Sequence, residues 1–173
     1  MASPFSCSTI SGNRAAQLQL SLASYDNLEF RSNESGNELR QGYAVVTSDV
    51  PVLVTGFYRI VDAATGEIQS ETAAAASPAM GAATAVFSER RSEGVESGIA
   101  LVNTSGVDKQ ATVVLLSQGH WGDFRPITLP AYGERALFIR QLFTNLTEAV
   151  ISGALDILSE SPVAATVVRT RLG

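Results

Sequence analysis

Side chains able to do chemistry near neutral pH are scarce in this 173-residue sequence, and the first of them is its single histidine, His120. It sits in Gly119-His120-Trp121-Gly122-Asp123, where Asp123 is placed to orient an imidazole acting as general acid or base. Catalysis needs more than that pair. The sequence holds no second histidine for a metal pair, no HExxH or HxH, no GxSxG elbow and no glycine-rich phosphate loop after a strand. The two flanking glycines fit a tight hairpin turn that displays His120 and Trp121, and this is the preferred reading. Cys7 is the only cysteine, which excludes an internal disulfide and a Cys-rich metal site. No histidine or cation adjoins it to generate a thiolate, so it reads as a bystander.

Asp49 and Glu160 occupy matching positions, each after a serine and two residues before a proline. A glycosidase-like pair of carboxylates would have to meet at about 5 to 10 Å. The plainer reading is that Ser48-Asp49 and Ser159-Glu160 are turn residues bonding nearby backbone. No DxDxDG-type loop supplies calcium oxygens, and no cofactor is expected. For binding, Trp121 and Tyr132 both fall at expected turns, where an aromatic ring is either a stacking surface or a cap on the core. With His120 they make up the candidate ligand-binding set. Asn33-Glu34-Ser35, Asn103-Thr104-Ser105 and Asn145-Leu146-Thr147 fit the glycosylation sequon, a short pattern that carries little weight by itself.

These residues must be positioned by strands. Gly42 to Arg59, GYAVVTSDVPVLVTGFYR, returns at an offset of 111 as Gly153 to Thr170, GALDILSESPVAATVVRT. Each copy is an apolar strand, a polar break ending in proline and a second apolar strand, hence a hairpin or a strand with a sharp corner. Upstream, Leu22-Ala-Ser-Tyr25 matches Leu129-Pro-Ala-Tyr132 at an offset of 107. Ala16 to Ala23 alternates with period two, and Ala111 to Ser117 is strongly aliphatic and β-branched, so both are expected strands. Leu142, Phe143, Leu146 and Val150 place one apolar face on a short helix within Arg140 to Val150. Ala73 to Ala83 reads as a crossing linker of small residues interrupted by Pro78 and Gly81, and Glu89 to Ser97 as a charged loop in water. The expected fold is all-β: an antiparallel β-sandwich with an internal two-fold sequence repeat and one short helix before the last hairpin. A single domain, 1–173, would hold repeat halves at about 16–72 and 98–173 joined by a linker at 73–97.

Composition narrows the function classes. Hydrophobic residues make up 45% and charged residues 17%, with 14 glycines and 6 prolines, which suits a strand-rich chain with tight turns rather than disorder. Seventeen acidic against twelve basic residues give a net charge of −5, whose field repels phosphate backbones, so nucleic acid is not an expected partner. No apolar run is long enough for a membrane helix, and the first residues lack the basic start and apolar core of a secretory signal.

The succession GYAVVTSDVPV, SGIALVNTSG, ATVVLL, LPAYGERALFIRQLF and GALDILSESPVAATVVR resembles a recurring β-sandwich unit of uncharacterised bacterial secreted and cell-surface proteins. The resemblance covers the chain from about Leu18 onward and brings no catalytic residues with it. It implies a non-enzymatic extracellular module for adhesion, spacing or interaction, with an extracellular protein or polysaccharide as partner. Oligomers, or assemblies that exchange strands, belong to the same expectation. A carbohydrate-binding module is the alternative if Trp121 and Tyr132 share one exposed face, and a small hydrolase the third, needing His120 beside a nucleophile in a pocket.

Overall fold

An extended chain places successive side chains on opposite faces, so each strand can bury one face and expose the other, and this is what builds the molecule. The computed structural model describes residues 3–11, 14–23, 26–29, 43–61 and 65–171. Among them lie β1 (Ser3–Ser11), β2 (Arg14–Leu22), β3 (Tyr43–Ser48), β4 (Thr55–Val61), β5 (Ile68–Ala75) and β6 (Met80–Arg90). After a 3-10 turn at Arg91–Glu93 come β7 (Val95–Val102), β8 (Lys109–Ser117), β9 (Asp123–Leu129), β10 (Glu134–Phe138), the helical turn α1 (Ile139–Leu142) and β11 (Val150–Arg171).

The chain divides into two compact units, Met1–Val54 and Thr55–Gly173. The first contains a three-stranded antiparallel sheet in the order β2-β1-β3. The second contains the β4–β5 hairpin and a curled six-stranded antiparallel sheet in the order β10-β7-β6-β11-β8-β9. The curl comes from β11. Its residues Val150 to Leu158 run between β6 and β8, the register then shifts before Val163, and Ala164 to Arg171 pair with β7 instead. Pro162, with no N–H to donate, lies inside that irregularity, where a proline costs a strand least. The backbones of β6 and β7 pair only at Arg90 and Val95 before they separate.

Inside the curl, alternate residues of β7 (Val95, Ser97, Ile99, Leu101) and β8 (Ala111, Val113, Leu115, Ser117) are buried. Phe87, Leu129, Ile139, Phe143, Leu155, Ile157 and Val163 complete the core. Each large apolar side chain fully buried here contributes about 1.5–3 kcal/mol. The interior of the curl therefore dominates stability over any surface ion pair, which is worth about 1 kcal/mol or less.

Three expectations are corrected. The stretch 73–97 is no linker: it holds the end of β5, all of β6 and the start of β7. Its alanines are strand residues because β11 pairs with them, Ala85 opposite Leu155 and Ala83 opposite Ile157, and their small side chains fit against the core. Nor does Glu89 to Ser97 lie in water, since Glu89 and Ser97 are buried and only Arg91 to Gly94 turns the chain. Gly94 closes that turn at φ 66°, a conformation glycine adopts without steric cost. The helix is one turn rather than Arg140 to Val150. Phe143 and Leu146 enter the core as expected, but Val150 is exposed and begins β11. Of the two forms open to the repeated strand-break-strand motif, the C-terminal copy takes the continuous strand with a corner.

Candidate functional site

The turn from β8 to β9 presents the histidine. Gly119 and Gly122 take φ values of 82° and 88°, which only glycine adopts freely, and the N–H groups of His120 and Gly122 donate to the carbonyls of Ser117 and Leu115. His120 is thereby fixed with its side chain only 14% exposed, directed at the segment between α1 and β11. Its Nε2 lies 2.7 Å from Glu148 Oε1. On the other side, Nδ1 lies 3.4 Å from Asp123 Oδ2 and 3.4 Å from the Asn145 amide nitrogen, which donates to Asp123 at 2.9 Å. The 2.7 Å contact between Nε2 and the Glu148 carboxylate calls for a ring hydrogen on Nε2.

The hydrogen bond to Glu148 raises the His120 pKa above its ordinary value; burial opposes it, and the charge of Glu148 and then the hydrogen bond and charge of Asp123 add to the rise. The Glu148 carboxyl is lowered, chiefly by His120 and then by its own backbone N–H. Asp123 is lowered chiefly by the Asn145 amide. Glu148 Oε2 is buried with no hydrogen-bond partner among the described residues. Chemically this is a clamp. Both ring nitrogens face carboxylates, and no serine, threonine or cysteine oxygen or sulfur is bonded to either among the described residues. No group of three or more His, Cys, Asp and Glu is placed to hold a metal among the described residues.

The candidate ligand-binding set does not assemble. Trp121 stands beside His120 and is 79% exposed, whereas Tyr132 lies beyond the far end of the seven-residue β9, roughly 20 Å away. Tyr132 serves a second loop. It takes φ 53°, its N–H donates to Ser105, and its ring sits over Gly106, where an added Cβ would lie 3.1 Å from the phenol oxygen.

Beneath that loop is Asn103, fully buried. Its amide nitrogen lies 2.7, 3.2 and 2.9 Å from the carbonyls of Val107, Leu129 and Pro130, and its oxygen accepts from the N–H and hydroxyl of Ser105. The sequon at Asn103 is thus closed to a glycosyltransferase in the folded chain, the Asn145 amide is engaged by Asp123, and Asn33 lies outside the described residues.

Two open hollows flank the β11 corner, one lined by Gly81, Gln110, Thr112, Leu158, Ser159 and Glu160, the other by Asp108, Lys109, Gln110, Glu160 and Ser161. Neither includes His120. The corner serines bond backbone: Ser159 Oγ donates to the carbonyls of Gln110 and Ser161, and Ser48 Oγ accepts from the N–H of Val50. Lys109 donates to the Pro162 carbonyl at 2.5 Å.

Sequence reasoning passed over Glu89, Arg140, Asn145 and Glu148. Glu89 is fully buried and bonds Arg140 Nε at 2.6 Å and the Ser97 N–H at 3.2 Å, while Arg140 donates to the carbonyls of Leu146 and Glu148. These partners are distant in sequence, so no local spacing announced them. The outward face of β6, β11, β8 and β9 carries exposed Val86, Leu158 and Phe124 around Asp156, whose carboxylate accepts from Thr84 Oγ1 at 2.6 Å. Comparison of the chain with protein-family models, with characterised proteins and with solved structures finds no match.

Proposed function

We propose that the chain is a non-enzymatic structural or interaction module of the cell exterior, built by duplication on a β-sandwich plan. The observation that carries this reading is a coincidence of strand registers. In the small sheet Ser3 pairs with Leu22 and Ile10 with Tyr43; in the large sheet Lys109 pairs with Leu129 and Leu116 with Ala154. Position 3 maps to 109 and 10 to 116, an offset of 106; 22 maps to 129, an offset of 107; 43 maps to 154, an offset of 111. The last two are the offsets at which the sequence itself repeats. A shift of one residue would turn every side chain to the opposite face, so agreement across three strands supports a common ancestor for β2-β1-β3 and β9-β8-β11. The corner of β11, which moves the strand from β6 and β8 to β7, supports a sandwich in which one strand serves both layers.

A duplicated framework whose only histidine is held between carboxylates favours a scaffold over an enzyme. The exterior location rests on the resemblance to secreted and surface modules. A carbohydrate-binding module is the second reading, favoured by the exposure of Trp121 with exposed Phe124 three residues on. Incubating the purified chain with a panel of polysaccharides and of ester and glycoside substrates tests these readings. A scaffold neither binds nor turns over any of them. Binding lost in Trp121→Ala would establish the second reading, and turnover lost in His120→Ala would overturn both.

A further inference from the structure

The strand β6 is bonded to β11 along one edge and its backbone pairs with β7 only at Arg90, next to which the Ser97 N–H and hydroxyl of β7 bond the Glu89 carboxylate and the Ser88 carbonyl. Among the described residues, no strand pairs with its other edge from Met80 to Glu89. Exposure agrees: Met80, Gly81, Ala82, Thr84 and Val86 are all exposed, Val86 to 79%. We propose that this edge is an interface, on which β6 of one chain pairs antiparallel with β6 of a second copy about a two-fold axis.

Natural sheets guard a free edge with charge, proline or a bulge, because unpaired N–H and C=O groups bind any extended strand that reaches them. The two terminal strands of the same sheet are guarded. Strand β9 carries Arg125 and Pro126 at its middle, and β10 begins Glu134-Arg135. Strand β6 has neither device: Met80 to Ser88, MGAATAVFS, contains no charge and no proline, and its register with β11 runs unshifted from Arg90 to Ala82. An open edge without these devices is suited to receive a partner strand.

The sequence of β6 suits a copy of itself. With the axis at Thr84, Thr84 faces Thr84, Val86 faces Ala82 and Phe87 faces Gly81 of the second copy. Large residues oppose small ones, and no like charges meet between Met80 and Ser88. A two-fold contact uses both edges at once, so it closes at a pair and leaves no growing end. The exposed apolar side chains of Val86 and Ala82 from both copies would then lie in one continuous outward row. This inference goes beyond the proposed function and does not rest on it, since an enzyme or a lectin built on the same sheet would carry the same edge.

The test is light scattering of the full chain over a range of concentrations, beside Ala82→Lys/Val86→Lys. Both positions are exposed, so the fold, checked by circular dichroism, should persist, while the introduced lysines would face each other across the axis. The expected result is twice the chain mass for the natural protein and the single mass for the variant. Hydrogen exchange on the natural protein gives a readout that needs no variant: the alternate amides between Gly81 and Glu89 that face away from β11 should exchange at least about tenfold faster on dilution through the dissociation range. A monomer at every concentration, a pair that survives the double substitution, or masses growing beyond two would each overturn the proposal. So would a pair abolished by Phe124→Lys and indifferent to the β6 lysines, which would place the contact on the sheet face.

Discussion

Asn103 holds a loop together from beneath, joining the carbonyls of Val107, Leu129 and Pro130 through one amide. Replacing it with alanine takes the side-chain donor from the buried bond to the Leu129 carbonyl and from the part-buried ones to Val107 and Pro130, at a cost of about 1–3 kcal/mol. The loss should appear as a lower urea midpoint with an unchanged slope. His120 makes a different prediction, because its partners titrate. Its pKa is raised by Glu148, so its contribution is fully present below the unfolded value of 6.5 and is lost as pH rises through the higher folded value. Glu148 and Asp123 are lowered, by His120 and by Asn145, so theirs is present above the unfolded values of 4.5 and 3.8 and is lost as pH falls through the folded ones. The cluster therefore contributes most between about pH 4.5 and 6.5. The stability difference between the natural chain and His120→Gln should be largest near pH 5.5 and shrink as pH rises beyond 6.5 through the raised folded value. A difference that stays flat over this range would show that protonation of the ring plays no part. The turn holding His120 was legible in sequence, because glycines at two positive-φ positions mark a tight reversal. Its clamp was not, since Glu148 lies 28 residues away and carries no local signature.

Among the elements, β6, α1 and the segment before β11 are tied by one buried ion pair. Arg140 satisfies Glu89 and two carbonyls, so Arg140→Ala leaves a carboxylate in the core unneutralised, at a cost of about 3–5 kcal/mol. Removing Glu89 as well should cost much less than the sum of the single changes, and a double-mutant cycle by chemical denaturation measures the coupling. Additive losses would show that the two side chains act independently. Gly153 fixes how closely β11 approaches β8: a Cβ there would collide with the Leu116 carbonyl oxygen and press on Ser117. Gly153→Ala should cost about 1–3 kcal/mol, read as a lower melting temperature. Strands such as β8 were legible because a run of aliphatic and β-branched residues bounded by turns fits a pleated sheet. The alanine run of β5 and β6 was not, because alanine carries too little apolar area to mark a face and β11 decides its state. Helix α1 stops after one turn because the chain must deliver Phe143 and Leu146 to the core while the Leu146 and Glu148 carbonyls turn to Arg140 rather than to later amides.

At the scale of the molecule, the motif shared by Gly42 to Arg59 and Gly153 to Thr170 was legible and the boundary at Val54 was not, for one reason. The motif Gly42 to Arg59 reads as one element, yet its two strands fall on either side of the boundary between Val54 and Thr55, while its C-terminal counterpart is a single strand within one unit. Sequence similarity records the local strand-break-strand pattern, whereas unit membership depends on which strands pair with each half. Strand β4 pairs with β5; the equivalent half of β11 pairs with β7. The consequence is testable. The hydrophobic core cluster, with the partly buried residues packed on it, lies between Ala83 and Val167, and every strand of the curled sheet lies within Thr55–Gly173. A fragment spanning 55–173 should thus keep a single cooperative thermal transition. For a unit of this size a change of 1 kcal/mol moves the midpoint by about 4 °C, so a fragment that loses no core contact should melt within about that margin of the matching transition in the full chain. A fragment that is soluble but melts without cooperativity, or far lower, would mean that residues 1–54 complete the core of the larger unit. The scaffold reading would then have to treat the whole chain as one indivisible fold.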